Sequence, residues 1–173
     1  MLRIGLLGGL SWESTAEYYR LINEMVRDRL GGLHSADCLL RSVDFAPIEE
    51  LQAKGQWEEA GAALAAAAVE LERGGAKLLV LCTNTMHKVA DAIEAATTVP
   101  LLHIVDVTAA AVRAAGLTRV ALLGTRFTME QSFVRDRLAG HGVEALVPDG
   151  EDLERVHAVI YDELVHGVVR DES

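Results

Sequence analysis

Residues 78 to 87 hold the densest chemistry in this chain. Leu78-Leu79-Val80-Leu81 is wholly apolar and reads as a buried strand, and Cys82-Thr83-Asn84-Thr85-Met86-His87 follows at once. In open parallel sheets, ligands bind beyond the carboxyl ends of the strands. Thr83 or Asn84 at such an end can cap a following helix. The free N–H groups of that helix then favour an anion, either a substrate carboxylate or a thiolate. The same residues equally fit a bare helix cap, with Cys82 as a small core side chain. His87, one turn on, either orients a group at the helix start or sits on the helix surface.

A second cluster is Gly5-x-x-Gly8-Gly9, which ends the apolar run of residues 3–7. It lacks the G-x-G-x-x-G spacing of a dinucleotide site, and no Gly-Lys-Ser/Thr follows to make a phosphate loop. Its glycines let a ligand approach backbone N–H groups, with Ser11, Trp12 and Ser14 facing the same crevice as residues 83–85. The alternative is a plain strand-to-helix turn. Arg119-Val120-Ala121-Leu122-Leu123-Gly124-Thr125 echoes Arg3-Ile4-Gly5-Leu6-Leu7-Gly8-Gly9 at an offset of 119 − 3 = 116. The echo puts Thr125 at an equivalent strand end in a second lobe. Cys38 lies mid-strand and reads as core. His34, His103, His141, His157 and His166 show no metal-ligand spacing, and no Ser-His-Asp grouping or G-x-S-x-G elbow is present.

The elements that must position these residues alternate. Strands are predicted at 3–7, 37–44, 78–82, 101–104, 120–123 and 143–147. Helices are predicted at 14–30, 57–73, 85–96, 108–115, 128–139 and 153–165, with one helical turn at 48–52. The Ala-rich stretch 60–69 reads as a buried helix. Strands apolar throughout and spaced by helices imply an α/β fold with parallel sheets covered on both faces. The 116-residue echo implies two similar Rossmann-like lobes, 1–104 and 105–173. The counterpart of Thr83 would fall near 83 + 116 = 199, so the second lobe is expected to be incomplete within 173 residues.

The net charge, 16 − 26 = −10, argues against nucleic acid or an anionic membrane as partner, since both need clustered Lys and Arg. With only two cysteines there is no disulfide framework, and a cytoplasmic setting is expected. The amino end lacks a basic leader. No stretch approaches the roughly 20 apolar residues of a membrane span.

Three motifs then carry a resemblance. Ile4-Gly5-Leu6-Leu7-Gly8-Gly9-Leu10-Ser11-Trp12-Glu13-Ser14-Thr15, Leu81-Cys82-Thr83-Asn84-Thr85-Met86-His87 and Leu122-Leu123-Gly124-Thr125-Arg126-Phe127-Thr128-Met129-Glu130 resemble, in order, the cofactor-independent aspartate/glutamate racemase family. The resemblance implies two α/β lobes facing a cleft and a homodimer. It implies no pyridoxal phosphate, metal or other cofactor, and an acidic amino acid as substrate. A thiolate on one lobe takes the α-proton while a thiol on the other returns one to the opposite face. It implies a substrate pocket of Ser11, Trp12, Asn84, Thr85 and Thr125. Gln52 matches a family position near the substrate, its other reading being an exposed loop glutamine.

The resemblance also shows two departures. Thr83 stands where the family's first-lobe cysteine stands, with Cys82 one residue earlier; both are candidate catalytic residues. Neighbouring side chains on a strand face opposite ways, so Cys82 does not simply replace that cysteine. A subgroup with this threonine is expected to act on one enantiomer. The family's second-lobe Gly-Cys-Thr-Glu motif would lie beyond Ser173, so residues 1–173 alone are not expected to racemise. A hydantoin racemase, a decarboxylase of the same superfamily and a non-catalytic small-anion binder are the rival readings.

Overall fold

The computed structural model describes residues 1–171. The chain forms two compact units, Met1–Leu102 and a second that begins at His103.

In the first unit, β1 (Ile4–Gly8) leads into α1 (Trp12–Leu30) and β2 (Cys38–Ser42). Helices α2 (Phe45–Ala53) and α3 (Trp57–Arg73) precede β3 (Leu78–Leu81). A 3₁₀ turn (Thr85–Val89), α4 (Ala90–Ala96) and the short β4 (Leu101–Leu102) complete it. The sheet runs β2-β1-β3-β4, every pair parallel, with Ile4 level with both Cys38 and Leu78. Alternation along the strands divides the core. Leu7, Leu79 and Leu81 pack with Ala60, Leu64, Ala67, Ala68 and Leu71 of α3. Leu6, Val80 and Cys82 face the other way, against Tyr18 and Ile22 of α1. The alanines of α3 let it lie close to its neighbours, and a Cβ on Gly61 would stand 3.2 Å from that of Ala92 on α4.

In the second unit, α5 (Ile104–Ala114) precedes β5 (Arg119–Ala121). Then come α6 (Arg126–Glu130), α7 (Ser132–Gly140), β6 (Glu144–Leu146), α8 (Gly150–Asp162) and a 3₁₀ turn (Leu164–His166). β5 and β6 pair in parallel. Val105, Ala109, Val134, Leu138 and Val143 form the core. Arg137 donates twice to the Asp106 carboxylate at 2.7 Å, and His141 Nε2 lies 2.9 Å from it. Hydrogen bonding from Arg137 first, then His141, holds that carboxyl well below the usual carboxylate range despite partial burial. The pair ties α5 to α7. Among the described residues, no helix is long and apolar enough to cross a membrane.

Several elements differ from the sequence expectation. The turn at 48–52 is part of a nine-residue helix, started by Asp44, whose carboxylate accepts the Ala46 N–H. The strand expected at 101–104 stops after Leu102. There the His103 ring nitrogen Nδ1 accepts the Val105 N–H at 3.2 Å and so caps a helix from Ile104, four residues before the expected start. The helix expected at 128–139 is two helices, divided at Gln131, whose backbone is extended (φ −78°, ψ 148°).

Candidate functional site

The sheet order of the first unit reverses between β1 and β3. The chain leaves β1 towards β2 on one side and returns to β3 on the other. Loops that leave such a pair diverge and open a crevice at the carboxyl edge. The loops in question carry Ser11 and Trp12 after β1, and Cys82, Thr83, Asn84 and Thr85 after β3.

Polar groups hold the first loop. The Gly9 N–H donates to Thr15 Oγ1 at 2.9 Å, and that hydroxyl donates to the Ser11 carbonyl at 3.2 Å. Ser11 Oγ donates to the Glu13 carboxylate at 2.8 Å. Ser14 reaches across: its hydroxyl lies 2.9 Å from the Ser11 carbonyl and 3.0 Å from that of Cys82. One side-chain hydrogen bond, from Ser14 to the Cys82 carbonyl, therefore joins the start of α1 to the end of β3.

The end of β3 is a tight reversal. The Cys82 N–H still pairs with the Leu7 carbonyl at 2.9 Å, and the Thr83 N–H folds back onto Leu81 O at 2.9 Å. Asn84 is already helical (φ −94°, ψ −55°) and makes no side-chain cap. The expectation of a capped α-helix here is thus corrected. A capping residue needs an extended backbone, and the reversal at residues 81–83 delivers the chain into a 3₁₀ turn instead. Thr83 is half-buried and Asn84 exposed, whereas Thr85 and His87 are buried. His87 is therefore no surface residue. Trp12 is largely exposed. Gln52 is only 2 % exposed and belongs to α2, so the exposed-loop reading fails.

Cys82, expected as a catalytic candidate, belongs to the core. It is 0 % exposed among Leu6, Val80, Tyr18 and Ile22, on the sheet face towards α1. Burial first, and then nearby Cys38, pushes its thiol up to about 12. A thiol so placed stays protonated near neutrality. Cys82 in the folded protein is expected to resist a maleimide at pH 8 and to react once the chain is unfolded. Native labelling at the rate of a free thiol would contradict this placement.

Thr125, in the second unit, caps α6. Its extended backbone lets its hydroxyl accept the Thr128 N–H at 3.4 Å. A Cβ on Gly124 would stand 2.9 Å from Thr128 Cγ2, while one on Gly8 would stand 2.3 Å from Thr15 Cγ2. Both strand ends thus tuck a glycine against a threonine of the next helix. Thr15 and Thr128 were missed in reading the sequence for function. The signal available was a threonine in the first turns after each strand-end glycine.

A cavity of about 710 Å³ lies in the second unit, lined by Arg119, Arg135, Asp136 and Glu144 among others. It opens at the amino ends of β5 and β6, whereas Thr125 follows the carboxyl end of β5, where ligands of such sheets bind. Among the described residues, no group of three or more His, Cys, Asp or Glu is placed to hold a metal ion.

The chain is 26% identical over 147 residues to the broad specificity amino-acid racemase RacX of Bacillus subtilis (strain 168). That match covers 84% of this chain and 64% of that protein, so the chain spans just under two thirds of its curated relative. A solved Yersinia pestis protein assigned to the Asp/Glu racemases is 54% identical, with a TM-score of 0.91 over 99% of this chain and 75% of that one. An aspartate racemase homologue from Pyrococcus horikoshii OT3 is 32% identical, with a TM-score of 0.85 and the same coverage. The α/β fold with a parallel sheet and helices is shared with the two solved structures. The family profile described as Asp/Glu/Hydantoin racemase matches residues 7–173, and with that span, the chain belongs to the Asp/Glu/hydantoin racemase family.

Proposed function

We propose that the full-length protein is a cofactor-independent racemase of aspartate or glutamate. In this reading Thr83 occupies one of two proton-transfer positions. Ser11, Trp12, Gln52, Asn84 and Thr85 hold the substrate. The observation that carries the reading is the joining of the β1 and β3 loops at the switch point of a sheet from this family.

The α-hydrogen of an amino acid is very weakly acidic, so the site must stabilise the charge that appears on the carboxylate when it leaves. The first N–H groups of the 19-residue α1 have no partners inside the helix and suit a carboxylate. Inversion needs proton-transfer groups on both faces of the α-carbon, because one base tends to return the proton where it came from. A threonine hydroxyl is a weak base without an activator. The other face is therefore assigned to a stronger group, a thiolate. Homodimer formation and a cytoplasmic setting belong to the same proposal.

The test is direct. Full-length protein incubated with L- and D-aspartate and with L- and D-glutamate in deuterated water is expected to exchange the α-hydrogen and form the opposite isomer. Absence of both, with all four substrates, would defeat the reading. Thr83 favours a second reading, an anion-binding protein on this fold, for which aspartate binds without any isotope exchange. Exchange with hydantoins alone would move the assignment to another branch of the family.

A further inference from the structure

We infer that Ser14 is a positioning residue for Thr83, acting through the Cys82–Thr83 peptide bond. The inference rests on the reading of Thr83 as a proton-transfer position, but its geometric part stands alone.

The Cys82–Thr83 peptide is held at both ends. Its N–H, that of Thr83, bonds to Leu81 O at 2.9 Å, and its carbonyl, that of Cys82, lies 3.0 Å from Ser14 Oγ. The preceding N–H, that of Cys82, is bonded to Leu7 O at 2.9 Å. Beyond Leu81, pairing with β4 gives no support, because that strand pairs only Leu79 and Val80 with Leu101 and Leu102. The Ser14 hydroxyl is thus a side-chain contact that, with the Thr83 N–H bond, holds the rotation of this peptide plane. That rotation sets the direction in which the Thr83 side chain leaves the backbone.

Ser14 is itself anchored. Its hydroxyl proton is shared with the Ser11 carbonyl at 2.9 Å, which also receives the Thr15 hydroxyl. Thr15 in turn accepts the Gly9 N–H at 2.9 Å. One continuous relay therefore runs from the end of β1 to the end of β3: Gly9 N–H, Thr15 Oγ1, Ser11 carbonyl, Ser14 Oγ, Cys82 carbonyl. The relay sets the spacing of the two loops that flank the crevice. Reacting groups must sit within a fraction of an ångström of their working positions, so a free Cys82–Thr83 peptide costs turnover more than binding.

The experiment compares Ser14→Ala and Ser14→Thr in the full-length protein. Ser14→Ala is expected to lower kcat for α-hydrogen exchange about tenfold while KM changes less than about twofold. Ser14→Thr keeps the hydroxyl and is expected to restore most of the loss. In parallel, the Thr83 amide is followed by NMR; its shift should move and its hydrogen exchange should quicken in Ser14→Ala alone. Wild-type kcat in Ser14→Ala, or a loss that Ser14→Thr does not restore, overturns the inference. A Thr83 amide unchanged by Ser14→Ala overturns it even if catalysis falls. If the wild-type protein shows no exchange at all, the functional reading fails, and the amide measurement alone decides whether Ser14 positions Thr83.

Discussion

Replacing Gly9 with alanine is expected to destabilise the first unit by at least about 3 kcal/mol, seen as a fall of roughly 12 °C or more in its unfolding midpoint. Gly9 has φ +87°, a conformation that side chains rarely adopt, and an added Cβ would stand 2.1 Å from the Val43 carbonyl oxygen and 2.6 Å from its nitrogen. Both obstacles are backbone, and the Val43 N–H is itself bonded to the Gly8 carbonyl at 2.9 Å. No side-chain deletion can make room there.

Gly8 provides the contrast. An alanine at that position would meet Thr15 Cγ2 at 2.3 Å and Oγ1 at 2.5 Å, both parts of a side chain. Gly8→Ala is therefore expected to couple to Thr15→Ala, the double variant being more stable than the sum of the single changes by about 1 kcal/mol or more. Gly9→Ala should show no comparable relief in the Thr15→Ala background. Urea unfolding of the three single and two double variants measures both. Gly9→Ala at wild-type stability would mean that the β1 loop is not built as described.

The same loop shows how far the sequence can be read. α3 was legible to the residue (Trp57–Arg73) because Gly74-Gly75 marks its end and its alanines leave no doubt about a buried face. The strand cores were legible because an apolar run bounded by glycines has few other uses. Their ends were not. Whether residues after Leu81 enter an α-helix or a 3₁₀ turn depends on the Thr83 N–H bonding back to Leu81, a choice made by two atoms rather than by composition. The break at Gln131 and the early start at Ile104 are likewise set by backbone angles and by one histidine cap.

The site was legible as a list of strand-end residues, since polar side chains gathered after apolar strands stand out. The bonds among them were not. Thr15 looked like an ordinary helix residue until its hydroxyl proved to accept the Gly9 N–H. Cys82 was the opposite case. Thiol chemistry made it conspicuous, while the alternation of the strand had already turned it towards α1, where the structure buries it.

That burial leads to the second large effect, at Thr83. In the full-length protein Thr83→Cys is expected to raise α-hydrogen exchange of the slower enantiomer by about 10²-fold or more, the usual contribution of a positioned base. Exchange of the faster enantiomer should change much less. Thr83→Ala should leave the slower enantiomer inert. A thiol has an ordinary pKa of about 8.5, so a cysteine at this position supplies a usable fraction of thiolate at pH 8, as a hydroxyl does not. Position 83 is half-buried and follows the end of β3, so a thiol there has the room that Cys82 lacks. Cys82, fully enclosed and with its thiol pushed up to about 12, stays protonated near neutral pH. Cys82→Ala should accordingly leave the enantiomer preference unchanged. Proton NMR of the α-position in deuterated water reads each enantiomer separately. Equal exchange of both isomers by the wild-type protein, or loss of the preference on Cys82→Ala, would mean that the threonine is not what makes the two faces of the substrate unequal.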